Sequence, residues 1–353
     1  YTVDSLSLPD VAAGTASELA MHFAPRGAGS NAMPVLSSAS ASSPSARMAY
    51  LIGMQTFFRN PTSFKFAITQ FQRAIREDSS YAPAWAGLGF SYIWAVDYGD
   101  LTANDACAEA RPAIQRAASL DSGLALVHLA RARMLQDCDW NWQEAETEYR
   151  RAIAIEPSAT NYRTYGWLLE WYVGRAREGV AMGDTAVAND PGSVLAHLAL
   201  AWRLRGADDL DRAESEAKVA IALDPGLIDG HWILAEVYLR RRDYAKAERE
   251  ALAVKARGGS LPSLTTLGEI YARTGRITEA RAYMRSLMET RPVTGPARVA
   301  AARTQMALGE RDAALTTLED AVRDHIFIIP HQPYWDPIRD DPRFHALMRQ
   351  MGL

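Results

Sequence analysis

Three segments of the chain end alike, in Ile155-Glu156-Pro157, Asn189-Asp190-Pro191 and Leu223-Asp224-Pro225, and their prolines fall 34 residues apart. A fixed period of this length means that one supersecondary unit is repeated, which limits the fold more than composition does. Pro292 follows Pro225 by 67 residues, two periods less one, and Leu120-Asp121-Ser122 carries the pattern one step back. Within a period, apolar and small residues recur three and four apart, as in Trp85/Leu88/Gly89/Tyr92, His231/Leu234/Ala235/Tyr238 and Leu264/Leu267/Gly268/Tyr271. Such spacings line one face of a helix A. A helix B follows with a small residue, a larger one four on and Ala three further, as in Ala67/Phe71/Ala74, Ala145/Tyr149/Ala152 and Ala314/Leu318/Ala321. Small residues on both helices allow close approach, and the proline ends the unit because it cannot continue a helix. One pair cannot bury its apolar faces alone, so pairs stack into a superhelix with a concave and a convex side.

The pattern resembles the tetratricopeptide repeat (TPR) family, W-x2-L-G-x2-Y…A-x3-F…A…P. The resemblance covers residues 47–326 as about eight helix pairs. It implies an all-α, right-handed superhelical solenoid. Solenoids need a capping element for the last apolar face, and residues 327–353 are read as a turn and capping helix, with Asp341 as N-cap and Pro342 at the first helical position. Residues 25–46, rich in Ser, Ala, Pro and Gly, read as a linker. Residues 1–24 read as an amphipathic N-terminal helix, alone or as the tail of an upstream domain, since the chain starts at Tyr1. Repeat 4 carries Gly179 and Gly183 where Ala and a large residue are expected, which marks either a soft point or unusually close packing.

A second resemblance is narrower. The run from Trp335-Asp336-Pro337-Ile338 to Asp341-Pro342-Arg343-Phe344 looks like the F-D-P-L-R-x-D-P-R-F terminus of TPR regions in bacterial regulators, and Asp139-Trp140-Asn141-Trp142 looks like their D-W-D-W signature. These regulators include winged-helix activators related to CadC and ToxR, adenylate cyclases and Ser/Thr kinases. The resemblance implies the sensing or scaffold part of a transcriptional regulator, with a ligand-sensing solenoid controlling a cyclase or kinase as the alternative. None of the parent's DNA-binding, cyclase or kinase motifs lies in the chain, so its activity does not carry over.

Chemistry is sparse. No phosphate-binding glycine loop, H-E-x-x-H or G-x-S-x-G occurs, so no catalytic residue, cofactor or metal is expected, and the chain is read as a non-enzyme. His197 and His231 occupy the position of the repeat's Trp, with His128 near it, and are read as packing residues; His325, His331 and His345 are read as cap or surface. Net charge is −4 over 353 residues, which gives no reason to expect nucleic acid or a membrane as partner of this region. No apolar run is long enough to span a bilayer, and no secretory leader is read. The only cysteines, Cys107 and Cys138, read first as two free thiols in neighbouring repeats. A bridge between them is the alternative, and it would shift the expected cytoplasmic location towards the periplasm.

The TPR resemblance also supplies a register, in which certain helix A positions line the concave groove. It nominates Trp94, Trp171, Trp202, Arg205, Trp232, Arg240, Arg273 and Arg303 as partner-binding, with Glu236 and Glu269 between the arginines. Trp and Arg dominate binding hot spots. The expected partner is a protein or peptide with an apolar segment and acidic residues beyond it, and a second copy of the chain is a further candidate. The competing reading is that the aromatics simply pack between helices.

Overall fold

The computed structural model describes residues 43–59, 64–97, 100–172, 174–257, 265–289 and 293–353; the expected N-terminal helix, nearly all of the linker and Gly258-Gly259 lie outside them. Eight helix pairs follow one another: α1 Pro44–Arg59 with α2 Lys65–Glu77, α3 Ala82–Asp97 with α4 Ala103–Leu120, α5 Ala125–Asp137 with α6 Trp142–Ile155, and α7 Ala159–Trp167 with α8 Ala176–Asn189. Then come α9 Val194–Gly206 with α10 Leu210–Leu223, α11 Ile228–Arg240 with α12 Tyr244–Ala256, α13 Thr265–Arg273 with α14 Ile277–Met288, and α15 Gly295–Ala307 with α16 Arg311–Arg323. The helices are in phase with the sequence period, because α6, α8 and α10 each stop two residues before their proline.

A second periodicity sits in the A-to-B turns. Trp140, Gly174, Asp208 and Arg242, each 34 after the last, take positive φ, and Gly275 and Gly309 continue the series. The reversal between helices demands a left-handed residue there, which glycine adopts without steric cost and other residues do not. The following residue often caps helix B: Asn141, Asp209 and Asp243 accept from the backbone N–H of Glu144, Arg212 and Lys246.

Close approach explains the small residues. A Cβ on Gly89 would lie 2.5 Å from Ile114 Cγ1, and one on Gly268 would lie 2.3 Å from Thr304 Oγ1. Repeat 4 is closely packed rather than soft. A Cβ on Gly183 would meet Leu200 Cδ1 at 2.9 Å, and one on Gly179 the Gly166 carbonyl at 3.1 Å. Here α7 passes into a π-helical turn, Leu168–Tyr172, and Gly166 leaves a slot for the fully buried Arg203 of α9.

The superhelix comes round far enough for α15 to touch α3. After α16 the chain runs without helix from Ile326 to Gln332, makes a 3-10 turn at Pro333–Ile338 and ends in α17, Pro342–Gln350. Asp341 accepts from the Arg343 backbone N–H with Pro342 beside it, as the sequence implies. Trp335, Ile338, Phe344 and Leu347 close the last apolar face over Leu315 and Leu318.

The reading of two free thiols is corrected. Cys107 on α4 and Cys138 at the end of α5 form a disulfide, with Cα atoms 5.7 Å apart. Stacking of repeats 2 and 3 brings the two positions within the range that a bridge requires.

Candidate functional site

The concave face divides into two parts. In the first, Trp94 of α3 meets Trp167 of α7 at 4.7 Å between ring centroids, and the guanidinium groups of Arg133 and Arg163 lie over Trp94 at 4.6 and 5.2 Å. Arg133 Nη2 pairs with Asp97 at 2.7 Å and with Asp137 at 2.8 Å. Burial, only partly opposed by Arg133, raises the Asp97 carboxyl to about 6. Trp94 is 3% exposed, so it is spent on packing against its neighbours and offers little surface to a partner. The side chain of Trp171 lies outside the described residues.

In the second part the arginines and glutamates from helices A of repeats 5 to 8 join into a ladder. Arg303 donates to Glu236 at 2.9 Å and to Glu269 at 2.8 Å. Arg273 donates to the other oxygen of Glu269 at 2.8 Å, and Arg205 stands 3.9 Å from Glu236. Arg240 donates to the Arg205 carbonyl at 2.7 Å and to Asp208 at 3.2 Å. Burial pushes Glu236 up, but Arg303, Arg205 and Arg240 outweigh it and hold the carboxyl below its ordinary value. Arg303 is likewise held charged by Glu236 and Glu269 against the cost of burial. Trp202 and Trp232 meet edge to face at 4.5 Å, with Arg205 over Trp202 at 4.7 Å. Arg205, Arg240 and Arg303 therefore come together with Trp202 and Trp232, Arg273 stands at the exposed end, and Trp94 belongs to the other part.

The C-terminal segment lies on this ladder, which the register did not foresee. Gln332 Oε1 accepts from Arg205 at 3.3 Å and from Arg240 at 3.4 Å, and the Tyr334 ring lies 4.3 Å beneath the Arg303 guanidinium. Burial raises the Tyr334 hydroxyl to about 12. Further back, His325 stacks on Trp140 at 4.1 Å and its Nε2 lies 2.7 Å from the Cys138 carbonyl oxygen, while Phe327 meets Trp142 edge-on at 5.2 Å. The segment thus reaches from the turn of repeat 3 to helices A of repeats 5, 6 and 8. Ile328, Pro330 and Gln332 are buried in alternation with their neighbours, the period of extended chain. One sequence signal did point here: Trp140 takes a turn position that glycine fills in three other repeats.

The inner histidines form a separate ladder between helices A and B. His128, His197 and His231 place Nδ1 at 2.6, 2.6 and 2.8 Å from Glu148, Glu216 and Glu250. These pairs join the two helices of a repeat where the family's Trp would pack. Among the described residues no group of three or more His, Cys, Asp or Glu is placed to hold a metal ion, and no helix is long and apolar enough to cross a membrane.

A tetratricopeptide-repeat family profile matches residues 261–294, the stretch of α13 and α14. No curated protein matches the chain in sequence. Among solved structures, human IFIT1 in complex with m7Gppp-AAAA is similar at a TM-score of 0.56 and 15% identity, over 79% of this chain and 72% of that one. Yeast Tom70 is similar at 0.51 and 15%, over 97% and 76%. Likeness at this identity speaks to the fold alone. With one tetratricopeptide repeat matched at α13–α14 and seven further helix pairs stacked in series with it, the chain folds as a right-handed superhelical solenoid of the tetratricopeptide-repeat type.

Proposed function

We propose that the chain is a binding module that recruits an extended protein segment to the second half of its concave face. The observation that carries this reading is the extended segment already lying there, with its polar side chain on Arg205 and Arg240. A fold alone names no partner, whereas a ladder of buried arginines that receives the side chains of an extended segment supports one. The chain serves as the sensing or scaffold part of a bacterial transcriptional regulator. Supporting this, the two signatures that resemble those of such regulators meet in space: Trp140 packs against the apolar cluster that holds Trp335, Ile338 and Phe344. The ligand-sensing alternative is disfavoured because the aromatic half is filled by its own side chains. RNA, which human IFIT1 holds in its complex, is disfavoured here by the carboxylates that neutralise the inner arginines and by the net charge of −4. The Cys107–Cys138 bridge favours the oxidising compartment over the cytoplasm.

The immobilised chain and its Arg205→Ala/Arg240→Ala variant, compared for proteins retained from a lysate of the source organism, test the reading. Melting temperature, measured alongside, separates lost binding from lost folding. Retention that survives the double substitution unchanged sinks the proposal.

A further inference from the structure

The geometry points to residues 329–334 as an exchangeable occupant of the groove, displaced by a partner segment that carries a carboxylate two residues before an aromatic ring. This rests on the reading of the groove as a peptide site and adds who competes for it and by what chemistry.

The first observation is a mismatch of charge. Arg205, Arg240, Arg273 and Arg303 line the ladder against Glu236 and Glu269, and with Asp208 of the exposed turn included the cations still exceed the anions by one. On Arg205 and Arg240 the chain sets a neutral amide. Gln332 Oε1 stands 3.3 and 3.4 Å from them, against 2.8 and 2.9 Å for the carboxylates bound to Arg303. A charge-assisted hydrogen bond is shorter and roughly twice as strong as a neutral one. Gln332 thus occupies a carboxylate's place without its charge.

The second observation is the ring. Tyr334, two residues on, lies under Arg303, whose guanidinium is held charged by its two glutamates. Any aromatic ring at that step satisfies the cation, so the partner's spacing copies that of the tail.

The third is where the segment is anchored. Phe327 and Ile328 on one side and Trp335 and Ile338 on the other belong to the apolar cluster of the terminal cap, and Tyr334 lies at its edge. Ile329 to Tyr334, between these anchors, lift as a loop while the cap stays in place. A tethered occupant competes at an effective concentration in the millimolar range, so weak contacts suffice to cover the groove until a charged competitor arrives.

The test uses the whole chain and two isotopically labelled peptides spanning residues 326–338, one with the native sequence and one with Gln332→Glu. The glutamate peptide is expected to bind about tenfold tighter, the ratio that corresponds to one charge-assisted contact, and to raise amide exchange in the chain's own 329–332. Arg205→Gln/Arg240→Gln should abolish the tenfold difference. Gln332→Glu in the chain itself should weaken binding of either peptide, because the tail then holds its own seat. Equal affinity of the two peptides, or binding that leaves exchange at 329–332 unchanged, overturns the inference and leaves the groove reading standing. If neither peptide binds even to a Tyr334→Ala chain, whose tail is loosened, both fall.

Discussion

At the scale of single residues, the spacing between helices is set by side chains that are missing. Gly89 sits against Ile114 and also 3.2 Å, measured from a hypothetical Cβ, from the Ala110 carbonyl, and backbone does not yield as a flexible side chain does. Gly89→Ala should therefore destabilise by about 1–3 kcal/mol, the usual cost of overpacking, measured by denaturant unfolding. Charge has local effects as well. Glu214 accepts from Lys218 at 2.6 Å, from Tyr238 at 2.8 Å and from Arg241, and its carboxyl is held at about 2, first by the Lys218 hydrogen bond and against the upward push of burial. Its folded value lies below its unfolded one, so the stabilisation is complete above about pH 4.5 and fades as pH falls towards 2. Glu214→Gln should lower the melting temperature at pH 7, and the gap from the native chain should close in acid. A gap that stays constant down to pH 2.5 would show that the ion pairs contribute nothing.

At the scale of elements, the turn of repeat 3 bears more than its own reversal. Cys138, Trp140 and Trp142 follow one another there, and they bond α4, stack on His325 and meet Phe327 respectively. The bridge closes a loop with a sequence separation of 31 residues. Cys138→Ser should cost about 3 kcal/mol in chemical denaturation through the freer unfolded chain. Trp140 holds φ 50°, a strained conformation for a bulky side chain. Trp140→Asn should relieve about 1 kcal/mol of that strain and lose a ring stack worth about as much. Little change in overall stability is expected, but faster amide exchange at 326–328; unchanged exchange would mean that the stack does not hold the tail. The sequence made the helix pairs legible because Pro157, Pro191 and Pro225 act locally, each ending its own helix. The register likewise placed Arg205, Arg240 and Arg303 on one face, since position within a helix decides facing. Gln332 and Tyr334 were not legible, because contacts separated by up to 127 residues depend on how far the superhelix curves. The disulfide failed to stand out for a related reason: its geometry is set by the offset between repeats.

At the scale of the molecule, the contact of α15 with α3 and the tail's bridge from repeat 3 to repeat 8 set this solenoid apart from an open array. In an open array each repeat meets only its neighbours, and unfolding can spread from an end. Here the ends are tied, so the chain should unfold in a single cooperative step. Truncation after Asp324 removes the tail's bridge and the cap together and leaves the α15–α3 contact alone to hold the ends. It should broaden the transition and separate the midpoints seen by circular dichroism and by tryptophan fluorescence; coincident midpoints in the truncated chain would show that closure adds no cooperativity.

A helical spring whose near and far coils touch can neither shorten nor uncoil while that contact lasts. Its elasticity is locked away, and the low-frequency breathing that lets open solenoids wrap around cargo of different girth is denied to it. Whatever parts the coils also softens the whole body, so a change at one contact is felt as a change in stiffness throughout.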